Sequence, residues 1–272
     1  MSADSLATGA ARPARRVLIG HDALVRLTRA AVILLLFAIW QIYGQFFADK
    51  DFVSPPSRVA VALFTHIFSD GAVMRAVGLT LVEVAVAFAA SVIVGLGLGI
   101  LIGWNRGARR MALPVVLLLY AIPQVVMLPL VILLFGIGPT AKIFFGFSHG
   151  VFPVVINVVA GMRNVNPLLL AGARSMGASR IEIARHVMFP HMVPSLFAGL
   201  RLSMTVTLIG VILAELYVSL AGIGYYTQVF AQTFDPAPLF ALIAVLAAIA
   251  IMLNVLVRVA ERRVTRWRRV GV

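Results

Sequence analysis

The sequence predicts an all-α, polytopic membrane protein. The expected architecture is a bundle of six transmembrane helices, both termini cytoplasmic, with a structured cytoplasmic loop between helices four and five. Three observations carry this. Of 272 residues, 61% are apolar and 12% are charged, about half the charged share of a soluble domain. The few charges divide the chain into long uncharged stretches. The basic charges crowd onto alternate connections between those stretches.

A helix rises ~1.5 Å per residue, so ~20 apolar residues cross ~30 Å of hydrocarbon. The spans expected on that measure are 30–48, 76–103, 111–135, 143–162, 195–220 and 237–257. Alternating barrel strands of about ten residues do not occur. The organisation is then a tail over 1–29, one transmembrane domain over 30–258 and a basic tail over 259–272. The first span follows an Ala/Arg-rich start and could imitate a secretory signal. It is long and ends in Trp40, Tyr43 and Phe47 without a clear small-residue cleavage site, so it reads as an uncleaved span. With no cysteine in the chain, disulfide frameworks, thiolate metal sites and cysteine nucleophiles are excluded.

Orientation follows from Lys and Arg. Nineteen of the 23 basic residues fall on the side shared by the termini; only Lys50, Arg58, Arg75 and Lys142 fall on the other. That side is therefore the cytoplasm. The formal charge of +13 reads as a topogenic signal facing anionic membrane lipid, with no nucleic-acid partner.

Taking the spans in order, Ser91, Gly95, Gly99 and Gly103 recur every four residues in the second. That spacing puts small residues on one face and lets a neighbouring helix approach closely. The third span holds Pro114, Pro123 and Pro129 with Gln124 beside the second of them. Proline removes a backbone donor, and in lipid such breaks survive where they are buried in protein or line an aqueous cavity. Pro123, Gln124 and Pro129 are candidates for a kinked wall of a translocation path. Glu83 and Glu215 are the carboxylates within spans, where they are costly and face a cavity or a partner; Glu215 joins the path candidates. His149 reads as a core residue. His186 and His191 straddle Pro190 without metal-ligand spacing, so no metal site is expected.

The loop over 163–190 is punctuated like two short helices. Asn166 is a good N-cap and Pro167 suits the first helical position. Gly177 can take the left-handed conformation that ends a helix. Ser179-Arg180-Ile181-Glu182 is a capping box that starts the next, and Pro190 ends that helix or redirects the chain. A structured loop this long exceeds what a tether needs. It presents Arg174, Arg180 and Arg185 to the cytosol, which points to a docking surface for a cytosolic partner.

Ala171-Gly172-Ala173, three residues, Gly177, nine residues and Val187-Met188-Phe189-Pro190 is similar to the cytoplasmic signature of ATP-binding-cassette importer permeases. Gly177, Ala178 and Ser179 keep that pattern; Ala171 stands where the family usually has Glu, and Gly172 also departs. Ser54-Pro55-Pro56-Ser57, Pro123 with Pro129, Phe135-Gly136-Ile137-Gly138, Phe152-Pro153, Gly199-Leu200-Arg201 and Ala214-Glu215 resemble the nitrate/sulfonate/taurine branch of these permeases. The resemblance implies a dimeric permease in the bacterial inner membrane, two cytosolic ATPase subunits and an extracytoplasmic substrate-binding protein. Small oxyanions and sulfonates are the implied substrates. Ala171, Gly172, Ala173, Arg174, Gly177, Ala178, Ser179, Glu182, Arg185 and Pro190 would form the ATPase-coupling loop.

No Gly-x-x-x-x-Gly-Lys-Ser/Thr phosphate loop occurs in the chain, so no cofactor is expected on it, and ATP hydrolysis would fall to a partner. An ion-coupled secondary transporter is the competing reading, which would show more intramembrane polar residues and detectable halves. A membrane enzyme needs convergent catalytic groups, and Glu83, Glu215 and His149 are scattered along the sequence.

Overall fold

Without water to bond its backbone, a chain in lipid must satisfy every N–H and C=O internally, and helices do this segment by segment. The computed structural model describes residues 15–266, and these are helices and short connections with no strand among them. Residues 1–14 and 267–272, which include Arg12, Arg268 and Arg269 of the expected tails, lie outside the described residues. In chain order the helices are α1 (Arg15–Phe46), α2 (Pro56–Ala62), α3 (Gly71–Trp104), α4 (Arg106–Ala121), α5 (Leu128–Phe135), α6 (Pro139–Arg163), α7 (Pro167–Ser175), α8 (Arg180–Ile183), α9 (Phe189–Val218), α10 (Ile223–Gln232) and α11 (Pro236–Val264).

Five helical segments are long and apolar enough to cross a membrane, and a sixth crossing requires a bent pair. That pair is the expected third span. It is not one helix over 111–135: α4 stops at Ala121, a 3-10 turn runs from Gln124 to Met127, and α5 leaves at 82° to α4. The cause is local. A residue before proline is pushed out of the helical region, and Ile122 stands extended at φ −64°, ψ 128°. Two short helices, α2 with its π-helical extension over Leu63–Phe68 and α10, also fall outside the six expected spans.

The centre of the molecule is α6, packed between α3 and α9. Lipid gives apolar side chains no reason to prefer one another, so close contact between backbones has to hold these helices together. Gly95, Gly99 and Gly103 are buried on the α3 face that meets α6. A Cβ on Gly95 would stand 2.7 Å from Val154, on Gly99 2.7 Å from Val158, and on Gly103 2.7 Å from Met162 Sδ. Ser91 heads the same stripe, its hydroxyl 2.8 Å from the Ala87 carbonyl and 3.2 Å from that of Phe147. From the α9 side, Ser203 donates to the Gly150 carbonyl at 2.8 Å.

The remaining helices wrap this trio. α11 packs on α9 and α2, and Arg201 of α9 pairs with Glu261 of α11. α1 is peripheral, with nearly all of its membrane-spanning stretch exposed. It is pinned near its end, where Gln41 Oε1 accepts from the Ser57 amide at 3.1 Å and Trp40 lies 5.8 Å from Phe240 between ring centroids.

Candidate functional site

Two constellations stand out, one at each end of α9. At its start lies the elbow made by α7 and α8. Asn166 Oδ1 accepts from the Leu168 amide at 2.9 Å, satisfying an orphan donor of the first turn. α7 ends where Gly177 takes φ 79°, with its amide donating to Arg174 O and that of Ala178 to Ala173 O, each at 3.0 Å. α8 begins with a complete capping box: the Ser179 amide donates to Glu182 Oε2 at 2.8 Å, and the Glu182 amide donates to Ser179 Oγ at 3.3 Å. The Ser179 amide, reinforced by its hydroxyl, holds the Glu182 carboxyl below the usual carboxylate range.

Ala173, Ile183 and Ala184 are buried and anchor the elbow. His191 adds a tie, its ring nitrogen 3.0 Å from the Asn164 carbonyl. Ala171, Gly172, Arg174, Gly177, Ser179, Glu182 and Arg185 are exposed, and Ala178 and Pro190 are half-buried. The elbow also exposes large apolar side chains: Leu168, Leu169, Met176 and Ile181. Leu168, Leu169, Gly172 and Met176 line one side of a groove of about 470 Å³, closed on the other by Val187 and Pro190.

Pro190 neither ends α8 nor turns the chain aside. The helix runs unbroken from Arg180 to Tyr217 over 38 residues. Ala184–Met188 form a π turn immediately before it, so the proline falls where the hydrogen-bond register has already shifted and its missing donor breaks nothing more. The elbow is therefore the near end of the α9 rod.

At the far end of the rod is a buried ion cluster that the sequence reading lacks. The charge map places Lys142 among the outer, topogenic charges. In the structure it is 2% exposed, on the first turn of α6. Its Nζ lies 2.6 Å from Glu83 Oε1 of α3 and 3.9 Å from Glu215 Oε1 of α9, and it donates to the Ala221 carbonyl at 3.3 Å. Glu215 is fully buried, accepting from Thr80 Oγ1 at 2.7 Å and from the Gly224 amide at 2.8 Å. The Ile223 amide donates to the same Thr80 oxygen at 3.0 Å. Gly222, at φ 110°, and Gly224 let the α9–α10 connection close over the carboxylate, because a Cβ on either would collide with Glu215.

So Glu83 and Glu215, scattered in sequence, share one lysine. His149 stands apart, donating to the Phe145 carbonyl at 2.8 Å. The fellow path candidates of Glu215 lie on another element: Pro123, Gln124 and Pro129 sit at the α4–α5 break, the two prolines exposed and Gln124 half-buried, and Leu128 beside Pro129 shares an apolar cluster with Ala214, the neighbour of Glu215. One signal could have found the cluster. Lys142 is the only charge between Arg110 and Arg163, and two intramembrane carboxylates call for a cation. Among the described residues no group of three or more His, Asp and Glu side chains could hold a metal ion.

Comparison with known proteins gives this architecture its family. The model of binding-protein-dependent transport system inner membrane components matches residues 95–266. The chain belongs to that family. It is an inner-membrane permease subunit of a binding-protein-dependent ATP-binding-cassette importer, and such subunits are not themselves enzymes. The permease is 29% identical over 247 residues to the taurine transport system permease protein TauC of Escherichia coli, covering 89% of this chain and 90% of that one. It is 28% identical to the putative aliphatic sulfonates transport permease protein SsuC of Bacillus subtilis, covering 86% and 85%. Its fold matches a bacterial transporter that imports the acidic polysaccharide alginate, with TM-score 0.63 and 16% identity over 91% of this chain and 98% of the other.

Proposed function

We propose that this permease carries a small sulfonate or a similar oxyanion, taurine-like or nitrate-like, inward from an extracytoplasmic binding protein. A second copy of the chain completes the path, and two cytosolic ATPase subunits hydrolyse the ATP that drives it. Both termini and the 166–190 elbow lie in the cytoplasm. The arginine-rich α3–α4 corner and the elbow line one common cleft, which agrees with a single basic cytoplasmic side.

The observation that carries the mechanism is the continuity of the elbow with α9. A docking surface on α7, joined through α8 to a 38-residue rod, transmits displacement along the whole membrane thickness, the π turn at Ala184–Met188 being the one irregular stretch of that rod. The ATPase would seat on the exposed apolar face of Leu168, Leu169 and Met176, beside Ala171, Gly172 and Gly177. Closure of the ATPase pair then moves α9 as a rigid body and rocks the bundle between inward-open and outward-open states. The α4–α5 break at Pro123, Gln124 and Pro129 lines the path, a position where non-helical backbone is tolerated.

Gly177→Asp tests this reading. At φ 79° any L side chain is disfavoured, and a carboxylate beside the groove alters the docking surface. Uptake should be abolished while membrane insertion persists. Wild-type uptake with normal substrate-stimulated ATP hydrolysis in that variant would contradict the assignment.

A further inference from the structure

The elbow has a second face. Between it and the α3–α4 corner lies a cleft of about 760 Å³, lined by Arg106, Arg109, Arg163, Arg174 and Arg180. No carboxylate lines it, and none of these five guanidinium groups has one within 4.0 Å among the described residues. Arg109 is half-buried and the other four are exposed, so together they give the cleft a concentrated positive potential that attracts an anion. Arg106 and Arg109 also stand in the first turn of α4, which contains no acid; that end of a helix favours negative charge. The α4 first turn thus supplies an N-terminus and two cations to the same cleft.

The rest of the lining says what kind of anion fits. Gly103, Met162, Ile183 and Met188 give it an apolar floor. Trp104, at the cleft edge, belongs to the residue type that sits at headgroup level. The groove under Leu168, Leu169 and Met176 is on a different face of α7, so the basic cleft is not part of it. Apolar below and guanidinium above is the pattern that receives an anionic lipid headgroup between helices.

We propose that this cleft is a binding site for a phosphate oxyanion, supplied by the headgroup of an anionic phospholipid in the cytoplasmic leaflet. A free phosphate offers the same oxygens to the same arginines and is the other source the test distinguishes. The site stands independently of whether the elbow docks an ATPase.

The purified full-length chain, in neutral detergent, is titrated with phosphatidylglycerol, with phosphatidylcholine of the same acyl chains and with inorganic phosphate. Native mass spectrometry reads the adducts. Phosphatidylglycerol should be retained roughly tenfold or more over phosphatidylcholine. The variant Arg106→Gln/Arg109→Gln/Arg163→Gln should lose that preference, whereas Arg258→Gln/Arg262→Gln/Arg263→Gln on α11 should keep it. Arg106→Lys/Arg109→Lys/Arg163→Lys preserves charge and should retain most of it. This keeps the test informative if the glutamine variant does not fold. Phosphate adducts that compete with phosphatidylglycerol support the site and add the free anion as a ligand. Equal retention of the two lipids with no phosphate adduct overturns the proposal. So does a preference untouched by the cleft glutamines. If neither ligand shields the cleft arginines from phenylglyoxal and only a co-purified ATPase does, the cleft belongs to an acidic protein surface and the lipid assignment fails.

Discussion

At the scale of single residues, Lys142 decides the most. Two carboxylates 1% and 0% exposed sit on one lysine at 2.6 and 3.9 Å. Removing one partner of a buried pair strands the other and costs roughly 3–5 kcal/mol, while replacing the whole group by apolar or neutral residues is close to neutral. Lys142→Met should therefore lower the melting transition of the purified chain sharply, and Glu83→Gln/Lys142→Met should recover much of the loss. A double-mutant cycle read by thermal denaturation in detergent measures the coupling; strictly additive effects would show that the pair is not the unit. This cluster was only half legible in the sequence. Glu83 and Glu215 announce themselves as intramembrane carboxylates, but α3, α6 and α9 had to pack before Lys142 could be assigned to both. A charge four residues past Gly138 looks like an ordinary end of a span, and nothing local marks it as buried.

At the scale of elements, local chemistry was the readable part. Asn166, Gly177 and the Ser179–Glu182 box act within a few residues of themselves, so the boundaries of α7 and α8 can be read directly from the letters. The small-residue stripe on α3 is equally explicit about its face, though not about which helix meets it. Two neighbouring glycines separate packing from propensity. A Cβ on Gly97 meets nothing within 4 Å, whereas one on Gly99 lies 2.7 Å from Val158. Gly97→Ala should be neutral or stabilising by about 0.5–1 kcal/mol, since alanine is the better helix former. Gly99→Val should destabilise by about 1–3 kcal/mol through overpacking. Detergent melting curves of the two variants check this, and equal shifts would remove the stripe from the account of α3–α6 packing. The third span and Pro190 were harder because proline has two opposite outcomes. At Pro123 the preceding residue turns extended and the helix bends by 82°; at Pro190 a π turn absorbs the defect and the helix runs on. Which outcome applies depends on whether neighbouring helices hold the flanking turns, and periodicity carries no record of that.

At the scale of the whole molecule, α9 joins the two constellations. Glu215 is 35 residues beyond Arg180 along one helix, about 50 Å at the helical rise. Force applied at the elbow reaches the α3–α6–α9 ion cluster only if the rod is stiff along that length. The π turn at Ala184–Met188 is its most yielding point, because its hydrogen bonds are out of α register and Val187 and Met188 are only half-buried. Ala184→Gly, in the same π turn and lining neither groove nor cleft, would soften that joint at a cost of about 1 kcal/mol in helix propensity, small enough for the bundle to persist. The expected result in reconstituted vesicles is that the ATPase still binds and hydrolyses ATP while transport per ATP falls severalfold. The docking surface is intact in this variant and only its mechanical link to α9 is weakened. An unchanged ratio of transport to hydrolysis would mean that α9 does not carry the stroke, leaving α6 and α11 as the elements to test next.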